Sequence, residues 1–358
     1  KDALADVTLH ARGLADWMQL LGQLEQAINE WRAVGGASPP GTRLRWLGAA
    51  PETLSEAAWR RGLHGVGQSL RALLMALAQV AETAHAVIPL YERGARLLSQ
   101  LASFAQPVPD DAVRWLEVQR QHLRLMESPL SIARLMREHM GQEQEEEALP
   151  DPQKAWIFTS ATLGDDEDLR WFTETCGLRN AQVLRVESPF DYQHQAVLYV
   201  PEDFPEPAQQ AAHSAAVAQL AGDGAQALGG RTLVLTTTLK ALDAIGAQLQ
   251  QRFGMFEPID VLVQGQGPKH ALMERFRAGV ANGRGCVLVA SSTFWEGVDI
   301  PGDALQLVVI DKLPFPPPDD PLVEARSRQL EVVGRSPFGD YMLPEAAMAL
   351  KQGAGRLI

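Results

Sequence analysis

From residue 155 onward the chain alternates short apolar runs with segments of helical period, and this alternation restricts its fold more than any other feature. Ala155–Thr159, Val183–Val186, Ala196–Val200, Thr232–Thr236, Ile259–Val263, Cys286–Ala290 and Leu305–Ile310 are predicted strands. Asp166–Cys176, Ala208–Leu220, Leu239–Arg252 and Lys269–Ala278 are predicted helices between them. A strand that is apolar on both faces needs cover on both, so the pattern implies an α/β fold built on a parallel sheet. In such sheets binding residues sit on loops at the carboxyl ends of the strands.

The first 105 or so residues follow a different rule. Leu14, Trp17, Leu21, Leu24, Ile28 and Trp31 fall on one helical stripe, as do Leu63, Val66, Leu70, Leu73, Leu77 and Val80. A third, shorter helical stretch runs from Leu90 to Phe104, and the Gly- and Pro-rich stretch Gly35 to Pro51 reads as a loop. These stripes predict core packing in a helical hairpin or small bundle. After about residue 110, Leu123 and Leu125 alternate like a short strand, and Ser131 opens a helix through Met140. The acidic run Gln142 to Ala148 reads as a solvated linker.

Composition narrows the function classes. The 358 residues carry 32 Lys and Arg against 44 Asp and Glu, a formal charge of −12, with 46% hydrophobic and 21% charged residues. These are values of a folded globular chain. The acidity concentrates in residues 151–230, which hold 4 basic and 12 acidic side chains. A net negative chain does not hold nucleic acid by bulk charge, although a narrow groove with a few placed donors is compatible with it. No apolar run is long enough to span a bilayer, and the N-terminus shows no signal pattern. The two cysteines, Cys176 and Cys286, exclude a disulfide scaffold, a four-cysteine zinc site and a complete iron–sulfur ligand set within the chain, and imply a reducing compartment. Both are expected to be buried and inert. The eight histidines never form an H-x-x-x-H or H-E-x-x-H pattern, so no metal site is expected.

Three strand exits or chain segments carry candidate chemistry. Thr159-Ser160-Ala161-Thr162-Leu163-Gly164 offers small hydroxyls at a strand end, a common arrangement that assigns nothing alone. Ser291 to Gly302 packs Trp295, Glu296, Gly297, Asp299 and Pro301 into one loop, where the two carboxylates can accept from a ribose hydroxyl, a water or an arginine; a buried ion pair or helix cap is the alternative for Asp299. Gln352-Gly353-Ala354-Gly355-Arg356-Leu357-Ile358 presents an arginine from a Gly-flanked helix end, able to offset charge in phosphoryl transfer. Gly265 to Lys269 imitates a phosphate loop, but its proline and the order of its lysine make it a strand-to-helix turn. Asp166-Glu167-Asp168-Leu169 imitates a D-E-x-H box and reads as the acidic first turn of a helix. Pro314 to Pro318 is either a rigid connector or a wedge near a nucleic-acid path.

Taken in order, T-S-A-T-L, then Leu235-Thr236-Thr237-Thr238, Gln264, F-W-E-G-V-D-I-P-G and Q-G-A-G-R-L-I resemble motifs III, IV, IVa, V and VI of superfamily 2 helicases. The series is most similar to the DinG/YoaA family of bacterial DNA helicases, relatives of the XPD helicase; Ser188-Pro189-Phe190-Asp191-Tyr192 and Asp311-Lys312-Leu313-Pro314-Phe315-Pro316 fit it too. The resemblance covers about residues 110–358, and covers 1–105 only by position. It implies RecA-like parallel sheets of the P-loop NTPase helicase fold with an N-terminal all-helical Arch-like region. The implied divisions are 1–105 for that region, 106–190 for the closing part of the first RecA-like domain, and 191–358 for the second.

The resemblance also implies roles. Arg356, Gln352, Glu296 and Asp299 would be catalytic, with Gly297, Asp299, Gln352 and Arg356 lining the ATP cleft and Arg356 as the arginine finger. Thr159, Ser160, Ala161 and Thr162 would couple nucleotide state to DNA grip. Thr236, Thr237, Gln264, Thr293 and Lys312 would touch single-stranded or forked DNA, mostly its phosphates and sugars. The implied activity is an ATP-dependent 5′→3′ DNA helicase in repair or replication, using ATP and Mg²⁺. Implied partners include replication or single-strand-binding proteins, with no membrane, in the nucleoid-associated bacterial cytoplasm. A family [4Fe–4S] cluster, where present, is not ligated by this chain.

Several family parts are missing. The sequence has no G-x-x-x-x-G-K-[ST], no D-E-x-H box after a strand, and no second arginine after Leu357-Ile358. The reading is therefore of a fragment without its N-terminal nucleotide-binding motifs, inactive as an ATPase by itself. A non-catalytic DNA- or partner-binding module derived from a helicase is the other reading, and an RNA helicase is a third.

Overall fold

The computed structural model describes residues 11, 13–36, 38–81, 84–140, 155–164, 166–178, 180–254, 257–279, 281–291, 294, 300 and 302–357. The expected linker Gln142 to Ala148 lies outside them. Two compact units divide the chain: Lys1–Leu135 with Pro317–Val333, and Met136–Pro316 with Gly334–Ile358.

In the first unit, α1 (Trp17–Gly35) starts at Asp16, whose side chain accepts from the Gln19 backbone N–H at 3.1 Å. It packs on α2 (Glu56–Ala81), which is followed by α3 (Ile88–Phe104). Leu63, Val66, Leu70, Leu73, Leu77 and Val80 are all buried, as their spacing predicts. The α1 stripe is less complete: Trp17 and Trp31 are buried, whereas Leu14 and Ile28 are exposed. Gly62 allows the close crossing of the two helices, because a Cβ there would lie 2.3 Å from the Trp31 ring.

The stretch expected to be only a loop contains β1 (Arg43–Arg45), the edge of an antiparallel sheet with β2 (Ala112–Val118) and β3 (Leu123–Pro129). Leu44 is buried opposite Leu116, while Arg43 pairs with Glu117 and Asp320 and Arg45 with Glu324. Cross-strand pairing and these ion pairs hold as a strand a segment too short to show a period. Arg114 on β2 is buried; its guanidinium donates to the carbonyls of Ser103 (2.9 Å) in the last turn of α3 and Gln106 (2.7 Å) just beyond it, and pairs with Glu127. The helix expected after Ser131 spans Ala133–Met140.

The second unit is built on a parallel sheet of β4 (Thr232–Leu235), β5 (Ile259–Val263), β6 (Gly285–Ala290) and β7 (Leu307–Ile310), in the order β5-β6-β4-β7. Alternate residues face opposite sides. Val234, Val263, Val287 and Val289 pack with α4 (Gln210–Ala227) and α5 (Leu239–Arg252). Leu233, Leu235, Leu262 and Leu288 pack with α6 (Lys269–Ala278), and Ala349 of α7 (Leu343–Ala354) lies on this side too. The α5 and α6 spans match the sequence reading.

Three expected strands do not form. Ala155–Thr159, Val183–Val186 and Ala196–Val200 have no regular hydrogen-bonded structure, and Ile157 (84%), Leu184 (87%) and Val197 (91%) stand largely exposed. A strand exists only beside a partner, and among the described residues none lies alongside these runs. The expected helix Asp166–Cys176 is shorter, Arg170–Thr175. Asp166 precedes it and accepts from the Arg170 backbone N–H at 3.0 Å, a bond that holds its carboxyl below the usual range. Asp166 thus binds the first backbone N–H of this helix, and Asp168 pairs with the Arg170 side chain.

Both cysteines are buried. Burial raises the Cys176 thiol and pushes Cys286 up to about 11, with the nearby Asp260 carboxylate adding to the effect. Neither is expected to react with a disulfide reagent in the folded chain near pH 7.5, and both should react once it is unfolded. Rapid labelling of Cys286 under native conditions would contradict this packing.

Candidate functional site

The carboxyl ends of β4 to β7 form a hydrogen-bonded row. The Thr236 backbone N–H donates to Ala290 O (2.8 Å) and that of Gln264 to Val289 O (3.0 Å), while that of Asp311 donates to Leu235 O (3.1 Å). Side chains extend the row. Gln264 Oε1 accepts from both the backbone N–H (2.8 Å) and the hydroxyl (3.0 Å) of Ser291, joining the tips of β5 and β6. Asp311 Oδ1 accepts from the Thr237 N–H at 3.0 Å, joining β7 to β4. Thr238 caps α5 by accepting from the Ala241 N–H at 3.2 Å.

Asp311 is the buried carboxylate of this row. Burial pushes its carboxyl above the usual range, opposed by Lys312 and by backbone hydrogen bonds from Thr237 and Lys312. Buried His213 of α4 lies behind it, with ring nitrogens 2.8 Å from Asp311 O and 2.7 Å from Pro205 O. The sequence reading includes Asp311 only as the first residue of the Asp311-to-Pro316 stretch, with no role of its own, and does not name His213. Asp311 shows one local signal, a carboxylate directly after an apolar strand; His213 shows none, because its role depends on a contact 98 residues away.

The expected DNA-contact residues separate on this row. Thr236 is wholly buried and its hydroxyl is directed at Ala290 O and Thr238 O, so it holds the loop and has no surface for a ligand. Thr237, Gln264 and Lys312 are half-buried at the strand tips, with Gln264 Oε1 already engaged by Ser291. Thr293, Trp295, Glu296, Gly297 and Asp299 lie outside the described residues. Phe294 and Ile300, which bracket that loop, are buried in the cluster that Leu357 joins. Gly265 to Lys269 is a turn into α6, with Gly265 at φ +94° and Pro268 as the residue before the helix.

Gln352 lies near the end of α7 and Arg356 in the 3-10 turn Gly355–Leu357 that follows; both are half-buried. Gln352 Nε2 donates to Thr162 Oγ1 at 3.1 Å, and Thr162 Oγ1 lies 3.1 Å from Ser160 Oγ. Ser160 Oγ also accepts from the Thr162 N–H at 3.1 Å. Two motifs 190 residues apart are therefore joined side chain to side chain. Thr159 and Ala161 stand exposed beside them. Among the described residues no group of three His, Cys, Asp or Glu could hold a metal, and no described helix is long and apolar enough to cross a membrane.

Residues 223–358 match the family described as the helicase C-terminal domain. The parallel sheet and its strand-tip row are thus the RecA-like C-terminal domain of a helicase. The chain is 40% identical over 245 residues to the ATP-dependent DNA helicase YoaA of Escherichia coli strain K12, covering 68% of this chain and 36% of that protein. It is 39% identical over 204 residues to the YoaA helicase of Haemophilus influenzae, with 57% and 30% covered. Against the ATP-dependent helicase DinG of Mycobacterium tuberculosis it is 34% identical over 266 residues, with 72% and 37% covered. The chain belongs to the DinG/YoaA helicase family, and it spans about a third of the length of these relatives.

Proposed function

We propose that this chain is part of an ATP-dependent DNA helicase of the DinG/YoaA type that moves 5′→3′ on single-stranded or forked DNA in repair or replication. The hydrogen bond from Gln352 to Thr162 carries the reading. It ties the arginine-bearing turn to the T-S-A-T loop, the direct contact through which a shift at one can reach the other. The names of the relatives, ATP-dependent DNA helicases, support it.

In this reading residues 1–105 are an Arch-like helical insertion, 106–190 close the first RecA-like domain, and 191–358 form the second. The exposed apolar runs at Ala155–Thr159 and Val183–Val186 support the division, since they have strand composition and, among the described residues, no sheet beside them. Thr237, Gln264, Thr293 and Lys312 hold the phosphates and sugars of one strand, with weak sequence preference. Glu296, Gly297 and Asp299 line the cleft, and Ser160 and Thr162 relay its state through Gln352.

The donors of Gln352 and Arg356 fit the phosphate-facing half of an ATP site. Bound ATP with Mg²⁺ supplies the phosphoanhydride whose cleavage drives movement. Arg356 neutralises negative charge at the phosphates, and Gln352 orients beside it. A [4Fe–4S] cluster does not fit this chain, because it needs four thiolates and the chain has two cysteines, both buried. The setting of this activity is the bacterial cytoplasm at the nucleoid, with replication or single-strand-binding proteins as neighbours. The test is unwinding by the full-length protein of DNA and RNA forks bearing either a 5′ or a 3′ tail. ATP-dependent opening of the 5′-tailed DNA fork is expected; opening only of 3′-tailed or RNA forks contradicts the proposal.

A further inference from the structure

The first unit carries a groove of about 630 Å³ between α2, the end of α3 and the segments around Leu47 and Val108. Its floor is apolar, formed by Trp59, Leu63, Leu98 and Leu101. Its charged lining is of one sign: Arg60 and Arg71 border it with His64 between them, and no Asp or Glu does, in a chain whose net charge is −12. These three residues, with Gly67 between the last two, follow spacings of four, three and four and so share one face of α2. Both arginines and His64 are exposed. Arg60 has a solvated ion pair with Glu56, of the kind worth little, and Arg71 has no ion pair among the described residues.

The chemistry narrows the occupant. Arg60 and Arg71 are eleven residues apart on the helix, a rise of about 16 Å, too long for one small ligand to meet both while filling the floor. A nucleic-acid strand would need open aromatic faces for its bases. Trp59 is fully buried, and Phe104 is stacked on Trp46 with the Arg114 guanidinium 5.2 Å from its ring centroid. An apolar trough with a cationic edge three turns long fits an amphipathic helix laid along it.

We propose that this groove docks an acidic amphipathic helical segment of a partner protein. Its apolar side chains cover Leu63, Leu98 and Leu101, and its carboxylates meet Arg60, His64 and Arg71. The inference rests on the first unit alone and stands apart from the helicase reading of the second.

The test is fluorescence anisotropy of the 358-residue chain with a labelled 18-residue synthetic helix bearing Leu on one face and Glu on its flanks. Two controls replace the Glu by Lys or the Leu by Ser. The Glu/Leu peptide is expected to bind at least tenfold more tightly than either control. R60E/R71E should lose at least tenfold and prefer the Lys/Leu peptide, with unchanged thermal unfolding. A second variant, Ala102→Glu at an exposed groove position, should weaken the Glu/Leu peptide alone. Equal binding of the Glu and Lys peptides, no binding of the Glu/Leu peptide, or unchanged affinity in R60E/R71E overturns the proposal. So does full displacement by a single-stranded oligonucleotide, which would reassign the groove to nucleic acid.

Discussion

Replacing Arg356 by Ala in the full-length protein is expected to lower ATP turnover at least about a thousandfold, the usual scale for an arginine finger. Single-strand affinity should stay nearly intact. The expectation follows from where the residue sits. Arg356 occupies a turn beside Gln352, while the half-buried side chains proposed to grip DNA lie on the tips of β4, β5 and β7. Arg356→Lys keeps the charge but loses the planar fork of donors, so it should recover only a small part of the rate. Parallel measurement of steady-state hydrolysis and of binding to a labelled single strand checks both halves. Unchanged turnover would remove Arg356 from its assigned role, and lost DNA binding with retained turnover would reverse the division of labour.

The second large effect concerns the fold that carries the site. Gly285 opens β6, and a Cβ there would lie 1.6 Å from Gly229 O, 2.6 Å from Gly229 C and 3.0 Å from Gly230 Cα. All three atoms are backbone, so no side-chain rotation relieves the clash. Gly229 and Gly230 sit at φ +64° and +93°, conformations that glycine adopts without penalty, and their turn leads into β4. Gly285→Ala must therefore push the entry of β4 away from β6, the two strands at the centre of the sheet. A loss of about 3 kcal/mol or more is expected, at the upper end of overpacking effects. Urea unfolding of the second unit checks this. Gly283→Ala is the contrasting change: its Cβ would meet nothing, and the cost is limited to its positive φ. Equal stability of Gly285→Ala and the parent would contradict the packing at this turn.

How far the sequence could be read depends on whether local or distant contacts decide an element. The spans of α5 and α6 were legible because polar and apolar residues alternate there with helical period, and β4 to β7 because buried central strands are unbroken apolar runs. Ala155–Thr159, Val183–Val186 and Ala196–Val200 are apolar runs too, yet form no strand. Their composition suits a strand, but pairing is a relation between segments and composition does not supply the partner. The reverse held for Arg43–Arg45, which has little strand character and is held by Leu116, Glu117 and Glu324. At the site, the order of the motifs was legible and their internal division was not. Thr236 and Thr237 look alike in sequence. Only the ladder reveals that the first continues inward to Ala290 while the second faces Asp311. The contacts of Asp311 and His213 were hidden for the same reason, since each acts through residues remote in the chain.

In the proposed function these residues supply the sensing and gripping half of a motor, while another part of the protein holds the phosphate cradle. The most direct measurement is ATP hydrolysis, with and without single-stranded DNA, by the 358-residue chain beside the full-length protein. Background hydrolysis is expected for the chain under both conditions, and DNA-stimulated turnover for the full-length protein. DNA-stimulated turnover by the 358 residues alone, or none by the full-length protein, would contradict this expectation.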